Sequence, residues 1–319
     1  MNFGTRYLAG TLLGAVALLA GAPAWAQGAA GLKIEVLSSR PELVTGGDAL
    51  VRVTGGTAAP TVTVAGRDVS AAFKADPKGG FTGLVDGLKV GDNALVAKSA
   101  AGEATVTLVN HPITGPLFSG PQQSPFLCEN EAHRLAPAKD DTCSAPATVV
   151  YYYRNKTGDW KVFNPTAARP DDIGTTKTIE GKEVPMIVRQ EKGVINRSAY
   201  VINMLHDPAA GPMPNPWSRG NSGWNGKLVY SFGPGVQANY HMGRGLGMLA
   251  GTENKFFLED FNAFLDADLT RGYAMAAGSL NVFGTNSDDV KSAETMAMVK
   301  EHFIQQFGQP TYTIGHGAS

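Results

Sequence analysis

The last ninety residues constrain the fold most. Residues 227–232 form a near-continuous apolar run, the kind buried on both faces of a sheet, and it ends in Gly233-Pro234-Gly235. Residues 254–271 then read as a helix, because Phe257, Phe261, Phe264, Leu265 and Leu269 recur at three- and four-residue spacing. Gly272 suits the residue after a helix end, and residues 273–280 make a second buried strand of small residues. A second helix is expected over residues 288–307, with Ser287 as its N-cap, Gly308 closing it and Pro310 barring continuation. Thr311-Tyr312-Thr313-Ile314 gives a third strand, which runs into a small-residue turn, Gly315-His316-Gly317-Ala318-Ser319. Strand–helix alternation of this kind predicts an α/β layer with a parallel sheet.

Gly317-Ala318-Ser319 matches the first half of the Gly-x-Ser-x-Gly nucleophile elbow. Small neighbours are needed there because the serine sits on a sharp, strained turn. Ser319 is therefore the candidate nucleophile, with Gly315 and Gly317 as the glycines of the elbow. The Gly233-Pro234-Gly235 turn is the candidate oxyanion site, since backbone rather than side chain must approach the developing negative charge. Proline has no N–H, so the donors would be Gly233, Gly235 or Val236. His316 lies too close to Ser319 in the chain to serve it easily as a base, and His241 could line the pocket, though it reads more readily as an ordinary loop histidine. No metal-spaced cluster, phosphate loop or dinucleotide fingerprint is present, so no cofactor and no metal is expected.

Upstream, residues 1–26 have the layout of a secretory signal peptide: Arg6 in a basic start, an apolar centre over residues 7–20, and the small-x-small site Ala24-Trp25-Ala26. The expected location is secreted or periplasmic, with no membrane span after cleavage. Two cysteines in an exported chain favour a bond between Cys128 and Cys143, which would stabilise by about 3 kcal/mol through loop closure. Residues 27–110 show six or seven short alternating strands separated by glycine turns, which predicts an immunoglobulin-like β-sandwich. Residues 111–144 form a Pro/Gly-rich connector with the cysteine loop, and residues 145–319 the larger domain. Lys and Arg total 27 against 28 Asp and Glu, a balance that offers no electrostatic footprint for nucleic acid.

Several segments carry a family resemblance: Ile34-Glu35-Val36-Leu37-Ser38-Ser39-Arg40-Pro41, Asn110-His111-Pro112-Ile113-Thr114-Gly115-Pro116, Trp224-Asn225-Gly226-Lys227-Leu228-Val229-Tyr230, Ser279-Leu280-Asn281-Val282-Phe283-Gly284 and Ser292-Ala293-Glu294-Thr295. Through them the chain resembles uncharacterised secreted bacterial proteins with an α/β-hydrolase core, akin to 3-hydroxybutyrate-oligomer hydrolases and tannase-type esterases. The resemblance implies a serine esterase acting on ester oligomers or aryl esters, with Ser319 at the nucleophile position. The expected fold class is a β-sandwich followed by the N-terminal half of an α/β-hydrolase, truncated at the elbow. In that family the chain continues beyond the nucleophile, where the acid and histidine are expected. The 319 residues therefore read as an inactive N-terminal fragment of an exported serine hydrolase. The alternative is a non-enzymatic exported protein that uses its sandwich as a docking module.

Overall fold

A computed structural model describes residues 31–244 and 263–317. The alternating segments near the N-terminus become nine strands: β1 (Lys33–Val36), β2 (Val44–Thr45), β3 (Ala49–Thr54), β4 (Thr61–Val64), β5 (Arg67–Asp68), β6 (Phe73–Ala75), β7 (Phe81–Val85), β8 (Gly91–Ser99) and β9 (Gly102–His111). They form two sheets, in the orders β1-β3-β7-β6 and β2-β9-β8-β4-β5. Val51, Val53 and Val85 from the first sheet and Val62, Val64, Leu95 and Leu108 from the second bury one shared core. The period of two decides the other face. Leu50, between Ala49 and Val51 on β3, points away from that core and joins the core of the following sheet, as Leu37 does.

That following sheet is built from β10 (Thr148–Arg154), β11 (Trp160–Phe163), β14 (Ile187–Ile195), β15 (Ser198–Leu205), β16 (Leu228–Gly233), β17 (Ala274–Val282) and β18 (Thr313–Gly317). A separate small ladder pairs β12 (Thr175–Lys177) with β13 (Glu183–Pro185). The large sheet runs in the order β11-β10-β14-β15-β17-β16-β18. Its first four pairings are antiparallel, and only β16 with β17 and β16 with β18 are parallel.

The expected half of an α/β-hydrolase is corrected here. The regular structure of the described residues is mostly strand, in several sheets, with two α-helices, α1 (Ala263–Thr270) and α2 (Asp289–Phe307). The strand–helix alternation after residue 227 predicts a wholly parallel layer. Long-range pairing overrides it: the hairpin strands between residues 148 and 205 join the same sheet edge to edge and make it mixed. The expected helix over residues 254–271 is seen from Ala263; residues 254–262 lie outside the described residues.

Burial on both faces explains why the central strands are apolar throughout. Leu228 and Tyr230 of β16, Ala274 and Ala276 of β17, and Tyr200, Ile202 and Met204 of β15 pack against Met298, Val299, Phe303, Ile304 and Phe307 of α2. Their alternates, Val229, Met275, Ala277, Val201 and Leu205, pack on the other face with Leu135, Met242 and Leu269. The N-cap of α2 is Asp288, which accepts from Lys291 N at 3.0 Å, and not Ser287, whose hydroxyl donates to Gln237 O at 3.0 Å. Gly308 ends the helix at φ 91°, as its sequence position suggests.

Three buried glutamates tie these parts together. Glu294 of α2 accepts from the backbone N–H groups of Leu117, Phe118 and Ser119 at 2.9, 2.6 and 2.7 Å, which fixes the connector. Glu301 of α2 accepts from Thr45 N at 3.1 Å and Thr45 Oγ1 at 2.5 Å, which joins the helix to β2. Glu191 of β14 accepts from Arg189 Nη2 at 2.8 Å, Tyr200 Oη at 2.9 Å and His302 Nε2 at 2.8 Å.

Glu191 supports an acid-stability prediction. Burial alone would raise its carboxyl, but the hydrogen bond and charge of His302, with Arg189, hold it at about 2. The folded value lies below the ordinary 4.5, so the stabilisation is complete above about pH 4.5 and is lost as pH falls toward about 2. The lost contribution is on the order of 3 kcal/mol. In urea unfolding across pH, Glu191→Gln is expected to be less stable at pH 7 and to show a flatter acid limb. An acid limb identical to that of the unsubstituted protein would contradict this role.

Candidate active site at the ends of the parallel strands

Because β16, β17 and β18 run parallel, their C-terminal ends come out along one edge of the sheet. Phe232 of β16 stands opposite Gly317 of β18, and Gly233 stands opposite Val282 of β17 after a register shift. The expected oxyanion turn and the expected glycine approach to the serine are thus adjacent. Gly315 and Gly317 lie within β18, so the strand runs further than the sequence suggested. His316 is also on β18, opposite Ser231. Ala318 and Ser319 lie outside the described residues.

The turn after β16 folds onto the turn after β17. Phe283 N donates to Gly233 O at 3.1 Å, Gly284 N to Pro234 O at 2.8 Å, and Gln237 N to Phe283 O at 3.0 Å. Gly235 sits at φ 109°, where a Cβ would come within 2.7 Å of the Gly284 Cα, so both strain and space demand glycine. At Gly233 a Cβ would come within 2.7 Å of the Val282 side chain. Among the described residues, the Gly235 and Val236 N–H groups have no acceptor, and Val236 is 83% exposed. Two backbone donors in a row at a strand end can hold a transient oxyanion.

Further along the segment after β16, residues 241–244 are held by Glu129. This carboxylate accepts from His241 Nδ1 at 2.5 Å, Gly243 N at 3.1 Å and Arg244 Nε at 2.6 Å. Burial pushes its carboxyl up, but the hydrogen bonds from Arg244 and His241 outweigh that and hold it below the ordinary carboxylate value. Glu129 follows Cys128, and the Cys128–Cys143 disulfide is formed. The sequence showed the disulfide but not Glu129, because its partners lie over a hundred residues away and no local pattern marks it.

A cleft of about 380 Å³ lies elsewhere, between the first sheets and the 215–226 loop, lined by Arg52, Lys78, Trp217, Trp224 and Phe307. Gly233, Gly235, Val236, Gly315 and Gly317 are not among the residues that line it. Among the described residues, no group of three or more His, Cys, Asp or Glu side chains is placed to hold a metal ion. No helix among them is long and apolar enough to cross a membrane.

Comparison with known proteins gives one result. A family model described as a tannase-like family of unknown function (DUF6351) matches residues 34–319. No curated protein matches the chain.

Proposed function

The chain belongs to this tannase-like family, and from that premise we propose that it is an exported serine-dependent carboxylic-ester hydrolase with Ser319 as nucleophile. The substrates are ester oligomers or aryl esters. The observation that supports the reading most is the parallel register that pairs Gly317, two residues before Ser319 in the chain, with Phe232 at the start of the Gly233-Pro234-Gly235 turn.

In this reading the Ser319 hydroxyl attacks the ester carbonyl, forming a C–O bond as its proton leaves to a base. The carbonyl oxygen becomes an oxyanion and accepts from the Gly235 and Val236 N–H groups, with Gly233 shaping the turn from the strand ladder. Collapse breaks the bond to the alcohol, which departs with a proton, and water then releases the acid by the same two steps. The donors are backbone groups fixed before substrate arrives, so they need no reorganisation as charge develops. The signal-like residues 1–26 and the Cys128–Cys143 bond support export, since disulfides persist in oxidising compartments. Turnover of aryl and alkyl esters by the full-length gene product, compared with its Ser319→Ala variant, tests the reading.

A further inference from the structure

The described segment that follows β16, residues 234–244, is fastened at two places. At its near end, Pro234 and Gln237 are stitched to residues 283–287: Gly284 N donates to Pro234 O at 2.8 Å, Gln237 N to Phe283 O at 3.0 Å and Ser287 N to Gln237 O at 2.8 Å. At its far end, Gly243 rests against Thr285, whose Oγ1 would lie 2.5 Å from a Cβ placed there. Both ends therefore use one support, the turn after β17. What presses the far end onto that support comes from another part of the chain. Leu127 N donates to Tyr240 O at 2.9 Å and Met242 N to Leu127 O at 2.9 Å, which adds residues 127 and 240–242 to a short two-stranded contact. Two residues on, the buried Glu129 carboxylate gathers His241, Gly243 and Arg244.

Three donors from four consecutive residues converge on one carboxylate. A carboxylate accepts along several directions at once, so it can fix a loop where one neutral acceptor could not. The Gly243 N–H is the buried member of the three, and without this acceptor it would lose a buried hydrogen bond; His241 and Arg244 reach the carboxylate from the solvent side. The Cys128–Cys143 bond, next to Glu129 in sequence, ties this acceptor to the cysteine loop.

We propose that Glu129 is a positioning residue of the esterase site: it clamps the 240–244 end of the loop, and so holds the Gly235 and Val236 donors in register over the ends of the parallel strands. The inference rests on the serine-esterase reading for its catalytic consequence, but its structural half stands alone. Glu129 does not touch substrate in this account. It acts through the loop it holds.

The test is amide hydrogen exchange on the folded full-length gene product, read at Gln237, Met242 and Gly243, with the amides of residues 33–111 as internal reference. Glu129→Gln keeps the shape but loses the charge and part of the accepting capacity. It is expected to speed exchange at these three amides by about tenfold or more and to leave the reference amides unchanged. His241→Gln, which leaves Glu129 in place and removes one donor, is expected to give a smaller change in the same amides. It also serves if Glu129→Gln does not fold. Unchanged exchange at Met242 and Gly243 in the folded variant overturns the clamp, whether or not the protein turns over esters. Ester kinetics then read the catalytic half. The expected result is kcat reduced about tenfold with KM within about twofold, the split of a group that acts on transition-state donors. Accelerated exchange with unchanged kcat would reject the positioning role and leave the esterase reading standing. An unsubstituted protein without esterase activity would count against the esterase reading, and exchange alone would then decide the clamp.

Discussion

Ser319→Ala in the full-length gene product is expected to lower kcat for ester hydrolysis by roughly 10⁴–10⁶-fold, with little change in KM. The size follows from what the hydroxyl supplies. A covalent acyl-enzyme splits one difficult displacement into two easier ones, and alanine removes the attacking atom altogether. Substrate binding and the Gly235 and Val236 donors stay in place, so residual catalysis above water should survive and ground-state affinity should not fall. A variant with near-normal kcat would remove Ser319 from the chemistry. A large rise in KM with kcat unchanged would make it a binding residue instead.

The second large effect is on stability at alkaline pH. Glu301 is 1% exposed, between α2 and β2. Burial raises its carboxyl to about 8; the two hydrogen bonds from Thr45 offset this in part, and the nearby Asp48 adds to the rise. The folded value lies above the ordinary 4.5, so the folded state holds a proton that the unfolded chain gives up. The contribution is complete below about pH 4.5 and is lost as pH rises through about 8. Its size is on the order of 3–5 kcal/mol. Glu301→Gln cannot ionise, yet its amide oxygen can accept from Thr45 N and its amide nitrogen can donate to Thr45 Oγ1. Above pH 8 the variant is therefore expected to exceed the unsubstituted protein in urea stability, and the fall in stability between about pH 4.5 and 8 should flatten. Some slope should persist, because burial also raises Asp48. A variant less stable at pH 9, with the slope unchanged, would contradict the assignment.

Glu191 and Glu301 thus limit the pH range from opposite sides. The first is held ionised by its partners and fails in acid. The second is held neutral by burial and fails in alkali. Both are glutamates with polar neighbours in the sequence, and nothing in it distinguishes them. The difference lies in what reaches each one: the cationic partners His302 and Arg189 for Glu191, and the neutral Thr45 with the like-charged Asp48 nearby for Glu301.

Local features were legible where local chemistry sets them. The period of two marked β3, β4 and β8, the run of small residues marked β17, and Gly308 marked the end of α2. The cysteine pair followed from even count and context. The sheet as a whole was not legible. An apolar strand looks the same whether its neighbour runs parallel or antiparallel, and only distant residues decide. The α/β plan failed on this point, since β10, β14 and β15 bring antiparallel pairing into the sheet that β16, β17 and β18 extend. The cap of α2 moved from Ser287 to its neighbour Asp288 because the Ser287 hydroxyl is engaged with Gln237. Around the site, glycine spacing identified the turn at residues 233–235. The Glu129 clamp could not be read, because His241 and Arg244 meet it only through the fold.

The measurement that bears most directly on the esterase reading is covalent labelling of the full-length gene product with a fluorophosphonate, followed by mass spectrometry of its peptides. The hydroxyl of an activated serine displaces fluoride and keeps the phosphonyl group. The predicted result is one adduct, on Ser319, that disappears in Ser319→Ala. An adduct on another serine, or one that persists in Ser319→Ala, would contradict the account.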